Sequence, residues 1–381
     1  MGKHSKKSSR PQGAHFATTE TEQPAKKKRG RWKRVLVGVL VVLVVLVVGV
    51  GVAAALYLNS LNESMSFEDE EEVVELQEAL VEVEDEDDPF YVLLLGSDAR
   101  EDETSRSDVI MLARVDPATA TVTLISIPRD TMVEIEGYGT QKINAAYAYG
   151  GAALAVEVVS EYAGVDIAHY AEIHFDEFVE LIDSLGGIEV DLPEALTTDD
   201  YSFEAGEQTL TGDEALAVAR ERHTASGGDF GRAQAQRIIV QAVVEKVLSV
   251  SVSELPGTVS DLAESVTTDY SVTELVSLAM EFYDQDLTFY SASCPSYTYN
   301  YNDVSYVATM YDEWREMMQR VDAGLDPEDE DADIPEEQLE NERLGAATNG
   351  AGPEDYEELA ASAMTTDDVA ETDDSDDEGS E

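Results

Sequence analysis

Four arginines, Arg220, Arg222, Arg232 and Arg237, fall within the stretch RERHTASGGDFGRAQAQR of a chain whose formal net charge is -57. Residues 59–381 hold 13 of the 24 Lys and Arg but 79 of the 81 Asp and Glu. Nine of those 13 bases lie in two stretches, 100–142 and 220–237, where an even spread would place about 2.5. Surface pairs with local acids contribute about 0–1 kcal/mol each. They would form anywhere in so acidic a chain, so local pairing does not explain the clustering. A shared anionic ligand does. Guanidinium forks match phosphate oxygens bidentately. Arg220 and Arg222 close one predicted helix and Arg232 opens the next, where free amides and the helix dipole attract anions. Gln236 follows Arg232 by four residues and shares its helix face. Several arginines at a helix start suit more than one phosphate, such as a pyrophosphate.

A pyrophosphate commonly brings a divalent ion. The loop GSDAREDETSRSD supplies Asp98 and Asp108, with Arg100 and Arg106 between them. Two carboxylates can hold Mg2+ while substrate oxygens and water complete its octahedron. In so acidic a chain the aspartate pair means little by itself, and the flanking arginines give it weight. Other chemistry finds less support. GGDFG contains the Asp-Phe-Gly of kinases without a catalytic loop or a glycine-rich strand pair. His169 and His174, five apart on a predicted strand, point to opposite faces and make a poor metal pair. His223 lies inside the arginine cluster, where it could touch a phosphate, but reads first as a solvent-facing loop residue. Cys294 is the single cysteine, so an intrachain disulfide is excluded, and no adjacent histidine would activate its thiol. No nucleophilic Ser–His–acid arrangement stands out.

The elements that must position these residues read as an α/β domain. FYVLLL, DVIMLARV and TVTLISI are strands, the last two joined by the turn DPATA. AALAVEVVSEYAG is a helix ended by Gly164. HYAEIHF is a strand with Ala171, Ile173 and Phe175 on one face, and DEFVELIDSLGG a helix capped by Asp176. IEVDL is a further strand. TGDE is a capping box opening EALAVAR, and FGRAQAQRIIVQAVVEKVLS is a long helix. Residues 250–324 read as mainly helical. The predicted fold is a central mixed β-sheet sandwiched by helices, preceded by a single N-terminal transmembrane helix.

That helix is the uncharged run Val35–Leu58, long enough at about 1.5 Å per residue to cross a hydrocarbon core of about 30 Å. Residues 1–34 carry 11 Lys or Arg and two acids, so the positive-inside rule keeps them cytoplasmic and exports residues 59–381. A cleaved signal peptide is the rival reading, against which the run is about twice the usual length. The expected organisation is a basic cytoplasmic tail (1–34), the anchor (35–58), an acidic linker too charged to pack well (59–88), a catalytic domain (89–325) and an acidic disordered tail (326–381). The acidic exterior disfavours nucleic acid, whose phosphates require a cationic footprint.

From Phe90 to Ser249 the motifs LLLGSDAR, RSDVIMLARVD, LISIPRDTMVEI, KINAAYAYGG, LTGDEALAVARER and GDFGRAQAQR occur in an order that resembles the LytR–CpsA–Psr family. The resemblance implies a phosphotransferase of a Gram-positive type envelope. Such an enzyme moves a glycopolymer from a polyprenyl pyrophosphate carrier to peptidoglycan through a phosphodiester, with Mg2+ as cofactor. It implies an α/β sandwich with the lipid tail in an apolar channel, so the partners include membrane lipid. By matching motif, Asp98 and Asp108 are implied as metal ligands. Arg106, Arg129, Arg220, Arg222, Arg232 and Gln236 are implied as the pyrophosphate clamp, with Arg100 and Lys142 beside it and Asp98 or Asp229 as the proton acceptor. One position departs: the family pattern Arg-x-x-Arg-Gln reads here with Ala235 in place of the second arginine. Arg237 is turned about 200° from Ala235 around the helix and points elsewhere. A non-catalytic envelope protein binding lipid-linked precursors, or a pyrophosphate hydrolase, is the alternative.

Overall fold

The computed structural model describes residues 70–97 and 107–369, except 84, 86, 264 and 284. The predicted anchor and basic tail, Asp98, Arg100, Arg106 and residues 370–381 lie outside the described residues. Among the described residues no helix is long and apolar enough to cross a membrane.

In chain order the elements are α1 (Glu70–Ala79), β1 (Phe90–Ser97), β2 (Ser107–Asp116), β3 (Thr121–Ser126), β4 (Met132–Ile135), β5 (Gly139–Lys142), α2 (Ala145–Ala163), β6 (Ile167–His174), α3 (Phe175–Ser184) and β7 (Ile188–Leu192). They continue with β8 (Leu196–Thr197), β9 (Ser202–Phe203), β10 (Gly206–Leu210), α4 (Gly212–Arg220), α5 (Asp229–Ser249), α6 (Leu255–Ala263), β11 (Thr267–Thr268) and α7 (Val272–Phe282). The last are β12 (Thr288–Ser293), β13 (Ser296–Tyr301), β14 (Val304–Thr309), α8 (Tyr311–Asp322), α9 (Glu336–Glu340) and α10 (Glu357–Ala360).

Six strands form one mixed sheet in the order β11-β6-β1-β2-β3-β12. β1 runs antiparallel to β2 and parallel to β6, while β3 runs antiparallel to β2 and parallel to β12. Four strands, β1, β3, β6 and β12, therefore point the same way, and β2 begins where they end. Side-chain alternation along β1 and β2 sends Leu93, Leu95, Ile110 and Leu112 to a face covered by α2 and by Trp314 and Met318 of α8. It sends Val92, Leu94, Val109 and Met111 to the other face, beneath Val240 of α5 and Leu278 of α7. A third cluster joins α3, α4, β7 and α5 through Ile182, Ile188, Val218 and Ile239.

Several expectations need correction. The linker 59–88 is not uniformly too acidic to pack: Leu76 and Ala79 of α1, with Leu80 just beyond its end, form a stripe at helical spacing, and Leu76 is buried in the main core. Phe175 does not continue the strand; it opens α3, whose N-cap is His174, so the helix starts before Asp176. Residues 250–324 carry four strands besides their helices. Two of them, β13 and β14, form a hairpin turned by Asn302 and Asp303 at positive φ, the conformation that a tight hairpin turn demands. Residues 326–369 pack on the domain. Leu344, Ala347, Asn349 and Tyr356 are buried there, which a composition dense in acids conceals because only one side chain in several needs to be apolar.

Candidate anion-binding site

The strand ends carry the chemistry. Ser97, the last residue of β1, is paired with Ser107, the first of β2. The register thus brings the neighbours of Asp98 and Asp108 opposite one another across the antiparallel pair. β3 runs out through Ile127 and Pro128 to Arg129, whose guanidinium donates to the Asp108 carboxylate. Burial works against the Arg129 charge, but Asp108, with Asp130 and Asp229, outweighs it and holds the guanidinium above its usual value. Lys142 of β5 sits 3.0 Å from Asp130 and closes this side.

The second cluster reaches the same edge. α5 crosses the strand ends in its first two turns, and Arg237 donates to Ser293 Oγ at the end of β12, 2.7 Å away. Arg232 lies 3.5 Å from Asp229, one turn earlier. Its side chain is only 12% exposed, and burial pulls its guanidinium below the usual value. Asp229, Arg129, Asp108 and Arg222 are the charges that act on it. The structure therefore brings together Asp108, Arg129, Arg222, Asp229 and Arg232 from three chain segments. Arg129 faces Asp108 and Arg232 faces Asp229, yet three like charges, two of them partly desolvated, still meet here, and a bound polyanion would offset their repulsion.

α4 delivers the next arginine. Its capping box, Thr211 and Glu214, starts it, and it stops at Arg220, whose guanidinium carbon lies 4.5 Å from the centroid of the Phe175 ring. That stacking orients the fork. Glu221 then turns its carboxylate onto the amides of its own loop, His223 and Thr224 among them. Burial opposes its ionisation, yet those backbone donors hold the carboxyl below its usual value. The loop consequently leaves Arg222 exposed. Gln236 takes a bracing role here: its Nε2 donates to the Ala219 carbonyl at 2.9 Å and ties α5 to the last turn of α4. Arg237 does not join the group. It is buried, and desolvation draws its guanidinium down to about 10. Ala235 packs into the α3–α4 core. Arg114, one of the clustered bases, sits at the far end of β2 against Asp116.

Sequence reasoning missed a buried polar group beside this edge. Glu172 accepts hydrogen bonds from Ser97 at 2.7 Å, Tyr147 at 2.9 Å and Tyr170 at 2.8 Å, and Ser97 Oγ is also 2.7 Å from His174 Nδ1. A signal existed: Tyr170, Glu172 and His174 alternate along β6 and so share a face. Cys294 is buried beside Tyr162, and burial pushes its thiol up to about 12, so it stays protonated.

Among the described residues no group of three or more His, Cys, Asp or Glu could hold a metal ion. The Asp108 carboxylate is a hard oxygen donor of the kind that Mg2+ takes. That ion takes one or two protein carboxylates and completes its shell from substrate and water.

A mixed sheet that gathers arginines and carboxylates at the carboxyl ends of its parallel strands defines an α/β protein with those groups where open α/β sheets bind their ligands. The LytR_cpsA_psr family model matches residues 53–321, and the chain belongs to the LytR–CpsA–Psr family. A protein of Halalkalibacterium halodurans, named polyisoprenyl-teichoic acid–peptidoglycan teichoic acid transferase TagU, is 45% identical over 186 residues. The match covers 48% of this chain and 61% of that relative, so the chain spans less than two thirds of its length. Among solved structures, Bacillus subtilis TagV aligns with a TM-score of 0.53 at 31% identity, covering 59% of this chain and 92% of that one. TagT bound to LIIa-WTA aligns with a TM-score of 0.50 at 28% identity, covering 60% and 88%.

Proposed function

We propose that this protein is a membrane-anchored phosphotransferase that moves a teichoic-acid-like glycopolymer from a polyprenyl pyrophosphate carrier to peptidoglycan. The observation that carries this reading is the convergence of Arg129, Arg222 and Arg232 with Asp108 and Asp229 at one sheet edge. Relatives named polyisoprenyl-teichoic acid–peptidoglycan teichoic acid transferase supply the substrate class. Further support comes from the second face of the sheet, where Leu94, Val109, Val122, Val240 and Leu278 are only partly buried. A polyprenyl chain would find apolar contact along them, leading to the arginines.

In the reaction a hydroxyl of the acceptor glycan attacks the phosphorus that carries the glycopolymer. A new P–O bond forms, the P–O bond to the second phosphate breaks, and polyprenyl phosphate leaves with the electron pair. The hydroxyl proton passes to a carboxylate; Asp229, 3.5 Å from Arg232, and Asp98 are the assigned acceptors. Arg129 and Arg232 bind the charge that builds on the phosphate oxygens. Mg2+ held by Asp98 and Asp108 would add Lewis-acid polarisation of the same oxygens. Residues 35–58 tether the domain to the outer face of the membrane, within reach of a lipid-linked donor.

The test is transfer of labelled lipid-linked glycopolymer to isolated wall by the full chain. Arg232→Ala and Asp108→Asn should each lower the rate by about 10²-fold or more, the range for losing one charge-stabilising group. Wild-type rates in both variants would refute the assignment. Release of free phosphate-terminated glycan without attachment would point instead to hydrolysis.

A further inference from the structure

Residues 342–369 follow the stretch that matches the family model, which ends at 321, yet they touch the strand that follows Arg129 and the loop that precedes Arg232. The segment starts at the end of α2, where Arg343 forks onto Asp166 at 2.6 and 3.2 Å and the Gly345 amide donates to the Ala163 carbonyl at 2.8 Å. It then lies along β4. The Glu134 amide donates to the Asn349 carbonyl at 2.6 Å and the Ala351 amide to the Met132 carbonyl at 2.9 Å. Asn349 is buried, with Nδ2 2.9 Å from the Val158 carbonyl. β4 is the strand that leaves Arg129 and Asp130.

From there the segment runs beside β13, where the Thr298 amide donates to the Met364 carbonyl at 2.8 Å and Thr365 bridges to Tyr297. It finishes against the loop that opens α5. A Cβ built on Gly227 would lie 2.9 Å from Val369 Cγ2 and 3.3 Å from the Asp368 carbonyl, and one on Gly228 would lie 3.9 Å from Met364 Sδ. Gly227 and Gly228 have φ of 67° and 61°, and the Gly228 carbonyl accepts from the Arg232 amide at 3.1 Å. Two consecutive glycines leave that loop little intrinsic stiffness, so outside contacts must fix it.

We propose that residues 342–369 are a positioning strap of the anion site, which holds the Arg129 loop through β4 and the Arg232 loop through Met364 and Val369. Asp368 does not compete with the ligand, because its carboxylate accepts the Thr365 amide at 2.8 Å and caps its own turn. The inference rests on the anion-site reading above.

Three proteins decide it: the full chain, a version ending at Val369 and a version ending at Ala363. The readouts are amide hydrogen exchange over 225–232 and binding of inorganic pyrophosphate with Mg2+. The version ending at Val369 should match the full chain. The version ending at Ala363 should exchange at least about 10-fold faster in that loop and bind pyrophosphate about 10-fold more weakly. The full-length double variant Met364→Ala, Val369→Ala should move both readouts the same way, which guards against a truncation that fails to fold. Unchanged exchange and affinity, or tighter binding, overturns the strap. If the full chain binds no pyrophosphate, the anion reading fails, while the exchange comparison still decides the strap.

Discussion

Arg232 and Arg237 sit five residues apart on one helix and end in different environments. Arg232 faces Asp229, Asp108 and Arg129, whereas Arg237 is buried with Ser293 as its hydrogen-bond partner. Five residues turn an α-helix by about 500°, or 140° beyond a full turn, so the two side chains cannot share a ligand. Arg232→Met should therefore weaken pyrophosphate binding by about 10-fold or more, the scale of losing a charge-assisted hydrogen bond. Arg237→Met should leave it unchanged and leave folding stability near wild type or higher, since apolar replacement of a buried charge is often neutral or stabilising. Isothermal titration and urea melts of the two variants check both. Equal loss of affinity in the two would show that Arg237 belongs to the clamp.

At the scale of elements, the site depends on how tightly α5 starts. Gly231 lies in the first turn of α5, and a Cβ there would stand 2.0 Å from the Ser226 carbonyl and 3.1 Å from Ala225 Cβ. The backbone oxygen cannot move aside without shifting the loop. Gly231→Ala should cost about 1–3 kcal/mol, as overpacking typically does, and displace the loop that precedes Arg232. A denaturant midpoint at the wild-type value would show that the loop has slack that the structure does not reveal. The helices around the site were legible for a local reason: capping box, apolar stripe and terminal glycine lie within a few residues of each other. The β13–β14 hairpin was harder to read, because its tyrosines alternate with Ser, Thr and Asn, and one face packs against residues 356–364.

For the whole molecule, the formal net charge of -57 implies self-repulsion in the compact state. Raising salt from 0.1 to 1 M shortens the Debye length from about 10 to about 3 Å. Over that range Tm should rise, while pyrophosphate affinity falls as screening weakens attraction to the arginines. Opposite trends separate the two electrostatic effects; a Tm that falls with salt would mean that surface ion pairs outweigh the repulsion.

The sequence by itself determined four strands of the sheet, β1, β2, β3 and β6, the helices around them and the segregation of the rare cations. Apolar periodicity, capping residues and formal charge are local properties that a chain carries before it folds. It also marked Arg237 as the odd arginine, since helical pitch alone sets that angle. Tertiary structure decided which charges meet. Asp108 and Arg129 pair because β2 begins where β3 ends, and Gln236 became a brace because α4 ends beside it. Glu172 and His174 gained Ser97 because β6 lies parallel to β1. Only the fold could show that residues 326–369 pack, because a few buried side chains and backbone hydrogen bonds to distant strands leave almost no trace in composition.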